Sequence, residues 1–222
     1  MMPSYDLMPL QFWATPFYQR HWAEHAAEAP GIVAHLYELK NRESSHIASG
    51  VAPAAKSAEG LFESNFDLFA SSHPGLAKFV AFATETVRAV ASHVNGSRMP
   101  PERLRVTFPD SWFHITNNGG FHDAHYHGGC SWCGIYYLQA GEAGRRPGRS
   151  APNGGNRFYS PLACGGGYKD YGNEYLGTAS VDPPPRDGLL ILFPSYLLHS
   201  ALPYRGERDR IVISFNSCIT AM

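Results

Sequence analysis

From Leu104 onward the chain is a succession of short β-forming runs, and this most limits what it can fold into. LRVTF (104–108), WFHIT (112–116), CGIYYLQ (133–139), NRFYS (156–160), GTASV (177–181), GLLILF (188–193) and RIVISFN (210–216) are rich in β-branched and aromatic residues. Clusters of Gly, Pro and Asn separate them. Strands of this number and spacing build a sandwich or jelly roll. In RIVISFN, Arg210, Val212, Ser214 and Asn216 fall on one face and Ile211, Ile213 and Phe215 on the other. The second face is core, and the first carries a cation, a hydroxyl and an amide.

Residues 1 to about 100 read mostly as helix. Tyr18 to Ala29 and Gly31 to Lys40 are short helical candidates split by Pro30. A longer helix is expected from about Pro74 to Val94, capped by Ser72. Its apolar residues Leu76, Phe79, Val80, Ala83, Val87, Val90 and Val94 recur at spacings of three and four, as one buried face requires. The 222 residues suit a single domain, in which 1–100 forms a helical layer packed on a β core at 101–222. Two long Gly-rich stretches, 141–155 and 161–176, read as loops, and loops of that length in a compact domain tend to be functional.

With a net charge of -1 and no basic stripe, nucleic acid is not an expected partner. No apolar run reaches the length of a membrane span, and the N-terminal residues lack the pattern of a secretory signal. The expectation is therefore a cytoplasmic protein with reduced thiols. Cys130 and Cys133 form a C-x-x-C, but a structural zinc site usually has a second such pair. Cys130, Cys133, Cys164 and Cys218 are read as small core or loop residues.

Four of the eleven histidines lie between His114 and His127. His125 and His127 are two apart, so on a strand their imidazoles share a face and can chelate one metal ion. Glycines on both sides leave room for a bound small molecule. A third ligand must come from elsewhere, and His199, at the rim of the buried run GLLILFPSYLL, is the best candidate. Three protein ligands on one side of a metal leave open positions on the other, as in the facial sites of non-haem Fe(II) oxygenases. Asp123 is an alternative ligand. His114 and His122 are read as supporting or surface residues. Arg210 heads a strand that folds back beside His199 and can hold a carboxylate near the metal through paired hydrogen bonds. A surface ion pair with Asp209 or Glu207 is the alternative. Ser214 and Asn216 are candidates for the polar lining, as is Tyr136 or Tyr137, whichever faces inward.

Taken together, several segments resemble the bacterial and phage 2OG-Fe(II) oxygenases. They are the strand around Trp112, H-Y-H-G at 125–128, CGIYYL at 133–138, DPPPRDGLLILFPSYLLHSALPY at 182–204 and RIVISFN at 210–216. FESNFDLF at 62–69 and the helix after it also look similar, so the resemblance covers most of the chain. It implies a double-stranded β-helix (a jelly-roll, cupin-like fold) with an N-terminal helical layer. It implies Fe(II) as the metal, with His125 and His199 in the places of the two histidine ligands. It further implies 2-oxoglutarate as cosubstrate, with Arg210 holding its distal carboxylate, and the strand faces offer Tyr137, Ser214 and Asn216 as further cosubstrate contacts. The wider superfamily usually has H-x-D or H-x-E where this chain has His127, so the third ligand stays open between His127, Asp123 and water. The implied reaction is hydroxylation of a small molecule or peptide by dioxygen, with decarboxylation of 2-oxoglutarate to succinate. A homodimer is compatible with this reading. Two other readings stay open: a cupin-like three-histidine dioxygenase or isomerase that does not use 2-oxoglutarate, and a metal-binding jelly roll without turnover. In the enzyme readings the chemistry runs through the metal held by His125, His127 and His199, and the 141–155 and 161–176 loops are lid candidates.

Overall fold

The computed structural model describes residues 15–48, 57–145, 152–161, 171–172 and 179–222. Strand β1 (Tyr18–His21) leads into helix α1 (His25–Ala48), followed by β2 (Ser57–Ala58), β3 (Leu61–Glu63) and helix α2 (Pro74–Val94). Then come β4 (Leu104–Thr116), β5 (Gly120–His125), β6 (Trp132–Gln139), β7 (Gly144–Arg145), β8 (Pro152–Asn153) and β9 (Asn156–Tyr159). The last four strands are β10 (Ser180–Val181), β11 (Leu189–Pro194), β12 (His199–Tyr204) and β13 (Arg210–Ala221).

A seven-stranded sheet runs in the order β1-β11-β6-β13-β4-β3-β2, and a four-stranded sheet in the order β10-β9-β12-β5. The paired strands within both sheets are antiparallel. The two sheets face each other as the halves of a double-stranded β-helix.

Alternation along the strands of the large sheet separates two cores. Phe113, Ile115, Tyr136, Leu138, Leu190, Leu192, Ile211, Ile213 and Phe215 point outward and pack with Ile32 and Leu36 of α1 and Leu76, Phe79 and Val87 of α2. The intervening residues Cys133, Ile135, Tyr137, Leu189, Ile191, Phe193 and Val212 point inward and pack with Phe158 and Leu197. The helices thus cover the outer face, while the inner face is closed by the small sheet. Tyr136 faces the helices, its hydroxyl 2.6 Å from His25 Nδ1, and Tyr137 faces inward.

Several elements depart from the sequence expectation for identifiable reasons. Tyr18–His21 is a strand, not the start of a helix, because it pairs with the edge of β11, Tyr18 opposite Leu192. α1 runs through Pro30. The proline removes one backbone donor near the helix start, and burial of Ile32 and Leu36 outweighs that loss. The N-cap of α2 is His73, whose side chain accepts from Leu76 N, with Pro74 as the first helical residue. The expected strands at 104–108 and 112–116 are one strand, and a register shift in β13 between Asn216 and Cys218 lies opposite the Pro109 region. β12 has no counterpart among the expected strands. Of the run 177–181 only Ser180 and Val181 form a strand, and residues 177–178 lie outside the described residues. The N-terminal hundred residues are not only a helical layer, because β1 and the β2–β3 pair extend the large sheet at both edges. Cys164, residues 146–151 of the first lid candidate and residues 162–170 and 173–176 of the second lie outside the described residues. Among the described residues no helix is long and apolar enough to cross a membrane.

Gly134 is paired with Phe215, and a Cβ built on it would lie 2.1 Å from the Phe215 ring. That ring is fully buried and has nowhere to retreat. Gly134→Ala should therefore lower unfolding stability by about 1–3 kcal/mol, the usual range for overpacking. Equilibrium denaturation of the variant checks this, and unchanged stability would contradict the packing described.

Candidate metal and cosubstrate site

β5 and β12 are hydrogen-bonded neighbours in the small sheet, and their register sets His125 directly opposite His199. Facing residues of an antiparallel pair bring their side chains together. His127 lies two residues beyond His125, just past the end of β5, where its N–H donates to the Ser195 carbonyl at 3.0 Å. The chain leaves the ladder there, at the approach to Gly128-Gly129, but the same-face relation of the two histidines persists. Each of the three imidazoles offers one nitrogen within 4.8 Å of the others. Their ring centroids are 5.0 Å (His125 to His127), 4.3 Å (His125 to His199) and 5.2 Å (His127 to His199) apart.

The outer nitrogens of two of these rings are already committed. Nδ1 of His125 lies 2.7 Å from the Asp123 carbonyl oxygen, and Nδ1 of His199 lies 3.0 Å from that of Leu197. A carbonyl only accepts, so both Nδ1 atoms carry hydrogen and Nε2 presents a lone pair to the shared centre. Burial keeps all three rings in the neutral, ligating form. It lowers the pKa of His199 to about 3 and of His127 to about 4, and lowers that of His125 as well. Asp123, the alternative ligand, is exposed, and its main chain rather than its carboxylate meets His125.

Deeper between the sheets lies a chamber lined by the three histidines with Trp112, His114, Asn156, Phe193, Arg210 and Ser214, among others. Arg210 is only 1% exposed, yet no carboxylate among the described residues pairs with it. Its Nη2 donates to Asn156 Oδ1 at 2.6 Å, and its guanidinium sits 5.4 Å from the centre of the Tyr137 ring. Tyr137 donates to the same Asn156 oxygen at 2.8 Å. Two buried donors in the chamber, Arg210 Nε and Trp112 Nε1, have no partner. A buried cation held only by neutral groups, beside unspent donors, fits an anionic, acceptor-only ligand. A dicarboxylate is such a ligand. Asp209, offered by the sequence as a surface partner for Arg210, instead accepts from Tyr37 and Asn117.

Ser214 lines this chamber, but Asn216 does not. Six residues along β13 carry Asn216 about 20 Å from Arg210, where its amide donates to Asp110 and its oxygen accepts from Cys133. Asn156 was not singled out by the sequence. NRFYS reads as a strand, but nothing in so short a run says which face is inward. The free space in the chamber is ≈ 30 Å³, against ≈ 460 Å³ in an outer cleft lined by Phe66, Trp112, Phe121, His122, His125 and His127, among others.

A second group stands at the junction of cleft and chamber. Glu63, 7% exposed, accepts from His114 Nε2 at 2.9 Å and lies 3.6 Å from His122 Nε2. Hydrogen bonds from His114 and His122 hold the Glu63 carboxyl well below the usual carboxylate range. His114 is a buried ring whose pKa burial lowers, whereas the bond to Glu63 raises that of His122.

Residues 110–216 match the family model described as "Putative 2OG-Fe(II) oxygenase". A search of the curated proteins returns no match. Among solved structures, the epimerase SnoN in complex with Fe3+, alpha ketoglutarate and nogalamycin RO aligns with 92% of this chain and 80% of its own, at 13% identity and a TM-score of 0.60. A Pseudomonas putida prolyl-4-hydroxylase aligns over 91% and 92%, at 17% identity and a TM-score of 0.51. HygX from Streptomyces hygroscopicus, with nickel, 2-oxoglutarate and hygromycin B bound, aligns over 92% and 83%, at 13% identity and a TM-score of 0.53. At these identities the likeness establishes the fold.

The depressed histidine pKa values have a measurable consequence. An unfolded histidine binds a proton near pH 6.5, whereas folded His199 does so only near 3 and folded His127 near 4. Between those values the unfolded state holds more protons, so these two groups make stability rise with pH up to about 6.5. The thermal midpoint of metal-free protein should fall as pH is lowered from 6.5 to 5, above the range in which Glu63 titrates. His199→Asn should make that fall shallower, and an identical slope in the variant would contradict the assignment.

Proposed function

Because residues 110–216 match the 2OG-Fe(II) oxygenase family model, we propose that His125, His127 and His199 hold Fe(II). In the same reading Arg210 holds the distal carboxylate of 2-oxoglutarate, and the enzyme hydroxylates a C–H bond of a substrate seated in the outer cleft. The observation that carries the reading is the pairing of two features in one enclosure. Three neutral imidazoles converge, those of His125 and His199 with their lone pairs held inward, and a buried guanidinium nearby lacks an anionic partner among the described residues. A plain metal-binding jelly roll needs the first feature but has no use for the second.

When bound, Fe(II) and 2-oxoglutarate supply the activation of dioxygen, coupled to decarboxylation of 2-oxoglutarate to succinate. The protein's residues do the rest. The carbonyls of Asp123 and Leu197 fix the tautomers of His125 and His199 and aim their Nε2 atoms. Arg210 and the Trp112 indole N–H offer donors to the cosubstrate, and Tyr137 braces the guanidinium from its ring face. Phe158, Phe193, Ile191 and Val212 keep water from the inner wall. Because the chamber has little free space, cosubstrate entry requires side chains to move. The contact to exchange is Arg210 with Asn156: the carboxylate replaces the amide oxygen as acceptor.

The outer cleft borders His125 and His127, so its occupant lies against the metal position. Its aromatic walls suit a substrate with an apolar portion. Hydroxylation and other oxidative outcomes, such as epimerisation, differ in whether the product gains an oxygen atom, and product mass distinguishes them once a substrate is found.

Purified protein with Fe(II) should convert 2-oxoglutarate to succinate, at least slowly without a primary substrate. Absence of both binding and turnover would defeat the reading. Arg210→Ala should weaken 2-oxoglutarate by on the order of 100-fold, as expected for loss of a buried charged partner. Metal affinity should stay nearly unchanged, and Arg210→Lys should recover part of the loss. Equal loss of metal and cosubstrate would contradict the role of Arg210.

A further inference from the structure

Glu63, His114 and His122 come from three adjacent strands, β3, β4 and β5, and converge on one point. The β3–β4 register sets Glu63 opposite His114. Each of the three offers one ligand atom within 4.8 Å of the others, a set separate from the His125, His127 and His199 group. Bonds of about 2.0–2.2 Å from one ion to imidazole nitrogen and carboxylate oxygen place neighbouring donors roughly 2.9–3.6 Å apart. Glu63 Oε2 lies 2.9 Å from His114 Nε2 and 3.6 Å from His122 Nε2.

The tautomer of His122 adds an independent argument. Its Nδ1 lies 3.2 Å from the Asp123 carbonyl oxygen, which can only accept, so Nδ1 carries the hydrogen. In the neutral ring Nε2 is then a lone pair, and it faces the lone pairs of a carboxylate oxygen. Two such acceptors repel each other unless a positive centre lies between them, and the hydrogen bond from His122 to Glu63 described above requires a ring protonated on both nitrogens. That positive centre is either a second proton on His122 or a metal ion, and a nearby buried carboxylate and a second imidazole complete a ligand set for the metal.

We propose that Glu63, His114 and His122 form a second binding site for a divalent first-row metal ion, beside the three-histidine site. Two nitrogens and one oxygen suit zinc, cobalt, iron or manganese, and three ligands leave coordination positions open. All three residues line the outer cleft, which His125 and His127 also line. The rings of His122 and His125 are 4.3 Å apart, so the two ions would share a wall. Because its three ligands line the cleft, the second ion could take an oxygen or nitrogen donor of the primary substrate there.

The site can be tested without any turnover, so its fate is separable from that of the oxygenase reading. Metal-free, full-length protein is loaded with Co(II) alone, and bound metal per chain is counted by elemental analysis after gel filtration and followed by Co(II) visible absorption. The wild type should hold two ions. Glu63→Gln and, independently, His122→Phe should each hold one, with the spectrum of the three-histidine site retained. The His125→Ala/His199→Ala double variant should also hold one, and adding Glu63→Gln to it should leave none. The wild-type count needs no variant to fold: a single ion there overturns the proposal and leaves Glu63 as the acceptor of a purely hydrogen-bonded histidine pair. Two ions in Glu63→Gln, loss of both ions in that variant, or none in the double variant would overturn it equally.

Discussion

The site depends on one ladder register: His199 on β12 opposite His125 on β5. A slip of one residue would turn one imidazole to the opposite face of the small sheet and dissolve the cluster. The register has support on both sides of β12, which also pairs with β9 through His199 opposite Phe158. That second pairing places Phe158 against its ring, and Phe193 meets the ring from β11 of the facing sheet, so that His199 is buried between them. Burial in turn keeps the imidazole neutral and available as a ligand. Geometry and chemistry thus follow from the same three-strand arrangement.

The larger sheet supplies the other half of the enclosure, and does so because both of its faces are buried. Its outward residues are occupied by the helices, which frees the inward set to shape a chamber. Arg210 belongs to the inward set and lies opposite Thr116 at one end of β13. A charge in that position is costly unless something compensates it, and its present partners are an amide oxygen and a ring face. The cost is understandable if the compensation is a ligand. Anions are then favoured in the chamber by the same burial that would otherwise be a defect.

Much of this could be read from the sequence where both periodicity and composition were strong. GLLILF and RIVISFN announced buried strands, and alternation in the latter correctly separated Arg210 and Ser214 from Ile211, Ile213 and Phe215. It was also alternation, carried too far, that grouped Asn216 with the cosubstrate, since face does not encode distance along the strand. β12 was missed because HSALPY mixes polar and apolar residues and contains a proline, and its strand state comes from neighbours on both sides. β1 was missed for a similar reason: YQRH gains its conformation from the edge of β11. Tyr136 and Tyr137 could not be assigned to faces until the pairing with β11 fixed the inward side. Glu63 carried no signal, being one carboxylate about fifty residues before the histidines it meets. Only the β3–β4 register brings it to His114.

The central claim is that three imidazoles and one arginine form a single metal and cosubstrate site. Its most direct test is a crystal structure of the protein with Mn(II) and 2-oxoglutarate, grown without oxygen. The account predicts a metal bound by Nε2 of His125 and His199 and by His127, with 2-oxoglutarate chelating it and its far carboxylate on Arg210. A metal that takes the Asp123 carboxylate in place of His127, or a cosubstrate whose carboxylate lies away from Arg210, would contradict it.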